Sequence, residues 1–110
     1  MNALAKMKTE KQLGMELDDA VNRAAADEVV ALLDEGAPLE YRDPLGWTPL
    51  MNAAWVAAAD IVQLLIGRGA NLNARNREGK TALGMALEIG HNDYGHDKVI
   101  HILRLAGGTE

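Results

Sequence analysis

The sequence predicts an all-α protein, a row of stacked helix pairs, and three observations carry that prediction. The chain is self-similar at a shift of 33 residues: Leu17 pairs with Leu50 and then Leu83, Ala20 with Ala53 and then Ala86, Gly36 with Gly69. Within each period the apolar residues recur at helical rather than alternating spacing. Between the apolar runs, turn-forming residues fall in one register, as in Asp43-Pro44-Leu45-Gly46 and Asn76-Arg77-Glu78-Gly79. A period of this length marks a solenoid, because one helix pair cannot bury its own apolar face and must stack on a neighbour.

Residues 1–14 mix Lys6, Lys8 and Lys11 with Ala, Met and Thr and end at Gly14. They read as a lead-in, expected to fray or to form a short helix, because chain ends are poorly ordered unless tied down. Residues 15–110 read as one domain of three repeats, 15–42, 43–75 and 76–110. In the first, Leu17, Ala20, Val21 and Ala24 make one helix face, and Val29, Leu32 and Leu33 make the next. Asp18, Asp19, Asn22 and Arg23 give that terminal repeat a polar face. Gly36 stands where a left-handed residue ends a helix.

In the central repeat Thr48 occupies an N-cap position and Pro49 the first helical position, where a proline orphans no N–H. Leu50, Ala53, Ala54 and Ala57 share a face, and their small size lets neighbouring helices approach. Ile61, Val62, Leu64, Leu65 and Ile66 make the second helix apolar over most of its circumference, as a middle repeat requires. The third repeat repeats the Thr81 cap but is longer, with five extra residues between its helices, placed at His91–Gly95. Gly90-His91 and Gly95-His96 are alternative turns. The last helix carries Lys98, His101 and Arg104, which predicts a polar outer face with no further repeat after Glu110.

Asp43, Gly46, Thr48-Pro49-Leu50, Ala53-Ala54, Ile61-Val62, Leu64-Leu65-Ile66, Gly69-Ala70-Asn71 and Asn73-Ala74 closely resemble an ankyrin repeat. The third unit matches through Gly79, Thr81, Leu83, Ala86, Val99-Ile100, Ile102-Leu103 and Gly107. The resemblance covers about residues 15–108. Two features depart from the family pattern: Met51 and Gly84 replace its usual histidine, and Ala57-Ala58 replaces its glycine–histidine turn. The resemblance implies an ankyrin-repeat solenoid with short β-hairpin-like connectors, the fingers. It also implies a non-catalytic module that binds a protein partner through finger tips and inner helices, as adaptor or inhibitor.

Carried onto this chain, the family's contact positions are Pro44, Leu45, Trp47, Trp55, Val56 and Arg75 in the central repeat. In the third they are Arg77, Glu78, Lys80, Glu88 and Ile89, and in the first they fall near Asp18, Asn22 and Arg23. Trp47, Met51 and Trp55 follow i, i+4, i+8 spacing along one stripe. Tryptophan is the residue most enriched in interface hot spots. Met51 is expected to pack inward. Trp55 either contacts a partner or folds over the next repeat into space left by Gly84. A monomer is expected; homodimerisation through the Trp47/Trp55 stripe is the alternative.

Composition narrows the remaining classes. The chain has no cysteine and so no disulfide framework or thiol nucleophile. No run approaches the ~18 apolar residues of a membrane span. The first residues lack the apolar stretch of a signal peptide, which makes a cytoplasmic protein the expectation. A net charge of −5 argues against a nucleic-acid partner, whose phosphates need a basic stripe. No catalytic or phosphate-binding motif is present, and no cofactor is expected. A metal-dependent enzyme built on His91, Asp93, His96, Asp97 and His101 is the remote alternative. Turn-forming and surface roles suit those five residues better.

Overall fold

The structure, a computed structural model, describes residues 8–90 and 95–110. Six helices follow in order: α1 (Glu10–Asn22), α2 (Ala26–Asp34), α3 (Pro49–Trp55), α4 (Ala59–Gly67), α5 (Ala82–Ile89) and α6 (His96–Ala106). Each odd-numbered helix pairs with the one that follows it, and the pairs stack, α1 on α3 on α5 and α2 on α4 on α6. The result is two layers of helices, with no strand among the described residues. Residues 91–94, most of the expected insertion, lie outside the described residues.

Small residues set the spacing of the first layer. Ala20, Ala53 and Ala86, one per period, are each fully buried, beside the equally buried Leu17, Leu50 and Leu83. Val29, Ile61, Val62, Leu65, Val99 and Leu103 fill the space toward the second layer. Burying a side chain of that size is worth about 1.5–3 kcal/mol.

Threonine hydroxyls start the first-layer helices. Thr48 accepts the Met51 N–H at 3.3 Å and Thr81 accepts the Gly84 N–H at 3.1 Å. Thr9 does the same for α1 in a capping box: the Gln12 N–H donates to its hydroxyl at 3.1 Å, and the Thr9 N–H donates to the Gln12 side chain at 2.8 Å. Helical order therefore begins at Glu10, inside the stretch read as a lead-in ending at Gly14. Gly14 does not end a helix; it lies within α1 and lets the Tyr41 ring approach. A Cβ there would stand 2.2 Å from Tyr41 Cδ1.

Every helix of the first two repeats ends in one way. The N–H of the second residue past the cap bonds back to the third-last helical carbonyl, and the residue between is left-handed. Gly36 and Gly69 take that position after α2 and α4, at φ 102° and 91°. After α1 and α3 the same position holds Ala24 and Ala57, at φ 55° and 59°. These alanines occupy a conformation glycine favours, and the departure at Ala57 is thus a departure in backbone energy as well as in sequence.

The connectors are tight and matched. Asp43 Oδ1 accepts the N–H groups of Leu45 and Trp47, both at 2.9 Å. One period later Asn76 Oδ1 accepts those of Glu78 and Lys80, at 2.9 and 3.0 Å. The Asp43 N–H closes the hairpin on the Trp47 carbonyl at 3.0 Å. Arg42 donates to the Gly46 carbonyl at 2.8 Å and across to the Arg75 carbonyl at 2.6 Å, tying one finger to the next.

Candidate functional site

The exposed face of the first layer is a grid with the 33-residue period as its column spacing. Gly14, Trp47 and Lys80 form one row, Asp18, Met51 and Gly84 the middle row, and Asn22, Trp55 and Glu88 the third. In the central column the two indoles meet edge to face, with centroids 5.3 Å apart and planes at 67°. Met51, between them along the helix, is buried as expected. In the third column Lys80 and Glu88 make the equivalent reach as an ion pair of 2.7 Å, over Gly84. That pairing raises the Lys80 pKa, and Glu78 adds to it from 3.5 Å.

Two side chains thus bridge the middle row in the second and third columns. In the first column Gly14 has no side chain to offer, and the Tyr41 ring lies against it instead. A groove of about 420 Å³ opens there, with Met15, Asp18 and Asn22 along α1 and Tyr41, Asp43 and Pro44 from the connector. Asn52, buried on α3, donates through Nδ2 to Asp18 Oδ1 at 2.8 Å. Partial burial, and then the carboxylates of Asp43 and Asp19, push the Asp18 pKa above the ordinary aspartate value.

The residues singled out from sequence fall into two groups. Leu45, Trp55 and Val56 are exposed at 61%, 47% and 37%, and Pro44 beside them is exposed. Trp47 is half-buried against the core. The second group is engaged within the chain. Arg75 donates to the carbonyls of Gly79 at 2.7 Å and Glu110 at 3.2 Å. Glu78, Lys80 and Glu88 satisfy one another, Ile89 is half-buried, and the Arg77 N–H donates to the Leu45 carbonyl at 3.3 Å. Trp55 does not fill the space at Gly84; what approaches that glycine is Thr81 Oγ1 and the backbone of Glu110.

Sequence reasoning passed over Met15 and Tyr41. The signal was present in the register, since Gly14 falls in the row that holds Trp47 and Lys80. His96, read as a turn histidine, is buried with Nε2 2.9 Å from the Trp55 carbonyl, so that the ring's N–H fixes the end of α3 beneath the exposed indole. Of the five residues in the metal alternative, His91 and Asp93 lie outside the described residues, and His101 is exposed on α6. Among the described residues no three His, Cys, Asp or Glu are grouped to hold a metal ion. Nor is any described helix long and apolar enough to cross a membrane.

The comparisons with known proteins agree with this geometry. The family model described as ankyrin repeats in many copies matches residues 32–86. This chain belongs to the ankyrin-repeat family. It is 31% identical over 86 residues to an ankyrin repeat-containing protein of Schizosaccharomyces pombe, covering 74% of this chain and 42% of that one. It is 40% identical over 76 residues to mouse ankyrin repeat and SOCS box protein 11, covering 69% and 23%. Over 43 residues it is 51% identical to the human ankyrin repeat, SAM and basic leucine zipper domain-containing protein 1, covering 39% and 9%. The chain spans less than half the length of each of these relatives. Ankyrin repeats are, as a class, protein–protein interaction modules.

Proposed function

We propose that this chain is a non-catalytic binding module that engages a protein partner through its finger tips and first-layer helices, as an adaptor or as an inhibitor that occludes its target. The observation that carries the reading is the exposure of Trp55 at 47% and Leu45 at 61% on a face whose backbone is already fixed. An apolar contact centre held by the fingers' hydrogen bonds loses little conformational entropy on binding. Pro44, Leu45, Trp55 and Val56 form that centre, with Trp47 as its support. Arg75, Arg77, Glu78, Lys80, Glu88 and Ile89 form an edge in which Lys80 pairs with Glu78 and Glu88 while Arg75 is spent on backbone carbonyls.

The test is paired capture from native lysate with mass spectrometry. One bait is the wild type and the other carries Leu45→Ser and Trp55→Ala, with Trp47 kept because it packs on the core. A protein taken by the wild type and lost by the folded variant supports the reading. Equal capture by both removes the binding centre from this face. Recovery of nothing but the chain itself, with a dimer in sedimentation velocity that the variant abolishes, favours self-association through the same face.

A further inference from the structure

We infer that the partner presents an arginine-bearing basic segment, whose guanidinium enters the groove between α1 and the first finger while its apolar neighbour rests on Trp55. This deepens the proposed function and rests on it. Shape and charge both point to this occupant. In the first column Tyr41 covers Gly14 but leaves the groove along Asp18 and Asn22 open to a partner's side chain, whereas Trp47–Trp55 and Lys80–Glu88 close the other two columns.

The walls are apolar where a long aliphatic stem would lie. Met15 is 53% exposed, and Tyr41 and Pro44 face it across the groove. At the floor are carboxylates. Asp19 is held by Arg23 at 2.8 Å, and Lys11 lies at the α1 end. Asp18 and Asp43 make no ion pair among the described residues. Among the described residues their hydrogen bonds, from Asn52 Nδ2 and from the N–H groups of Leu45 and Trp47, fall on one oxygen of each. Burial raises the Asp18 pKa first, and the neighbouring carboxylates of Asp43 and Asp19 add to it. Guanidinium suits such a site better than ammonium, because its planar fork serves two acceptors and its face lies against apolar and aromatic surface.

The experiment selects phage-displayed random dodecapeptides on the whole chain and ranks the winners by fluorescence polarisation. Each winner is tested on wild type, on Asp18→Asn/Asp43→Asn and on Trp55→Ala. The double variant keeps its fold by design, since an asparagine already fills the Asp43 position one period later at Asn76 and retains the Oδ1 acceptor. The inference expects an arginine at a fixed position in the winners. It also expects about tenfold weaker binding to the double variant, and about the same loss when that arginine is replaced by citrulline. Winners that lack a fixed arginine, or that bind the double variant as well as wild type while losing Trp55→Ala, overturn the inference and leave the binding face standing. Winners indifferent to both variants, or no winners at all, count against both.

Discussion

Ala24 and Ala57 hold left-handed backbone at φ 55° and 59°, in the position that Gly36 and Gly69 take elsewhere in the same chain. For an alanine the crowding of Cβ against the carbonyl costs roughly 1–2 kcal/mol. Replacement by glycine removes that strain and returns roughly 0.5–1 kcal/mol to the entropy of the unfolded chain. The balance for Ala24→Gly is a gain of roughly 0.5–1 kcal/mol, since Ala24 is exposed and surrenders no buried methyl. In a domain of this size that is a rise in Tm of about 2–6 °C. The assay is thermal and urea unfolding followed by circular dichroism, with Ala31→Gly as the control. Ala31 is also exposed but lies inside α2, where the same chemical change is expected to lose about 1 kcal/mol. Opposite signs for the two substitutions support the reasoning. A loss at Ala24 equal to that at Ala31 would refute it.

Gly14→Ala is expected to destabilise by about 1–3 kcal/mol despite the better helix propensity of alanine, because the new methyl meets the Tyr41 ring. In a Tyr41→Ala background the sign reverses, which urea midpoints in a double-mutant cycle will show. Asp18→Asn bears on pH. A carboxyl whose folded pKa is raised weakens the fold as pH climbs from the unfolded value through the folded one, so the penalty is present at neutral pH and absent in acid. The variant is expected to be more stable than wild type at pH 7, by less than about 1 kcal/mol because the group is partly solvated. The difference should vanish near pH 3; one that stays constant with pH contradicts the assignment. Thr81→Ala removes the acceptor for the Gly84 N–H and the donor to the Thr109 carbonyl, for an expected loss of about 1–2 kcal/mol in the same unfolding assay.

Much of the fold was legible because the period makes each position speak three times. Ala20, Ala53 and Ala86 announced close helix packing, and Thr48 and Thr81 announced helix starts. The lead-in read to fray or form a short helix joins the first repeat in one helix, α1, for a local reason: a glycine at position 14 reads as a boundary, while its role is to admit Tyr41 from 27 residues away. The left-handed backbone at Ala24 and Ala57 was not read from the sequence, although Ala57 stands where the family places glycine, because an alanine rarely adopts that conformation. The binding face was half legible. Exposure of Leu45 followed from its turn position, but the commitment of Lys80 to Glu88 depends on two long side chains meeting across Gly84, and spacing alone did not show that. The partnership of Trp55 with Trp47 rather than with Gly84 is of the same kind. Side chains of that length choose among several neighbours, and packing decides.

The central claim, that the finger-and-first-layer face is where a partner sits, is tested most directly by photo-crosslinking at single positions. Benzoylphenylalanine is placed at Leu45 on the finger tip or, in a second protein, at Gln63, an exposed position of α4 in the other layer. Each is irradiated in native lysate and the adducts are compared by mass. A discrete adduct from position 45 with none from position 63 is the expected result. An adduct from position 63 with none from position 45 would place the partner on the opposite layer and contradict the account.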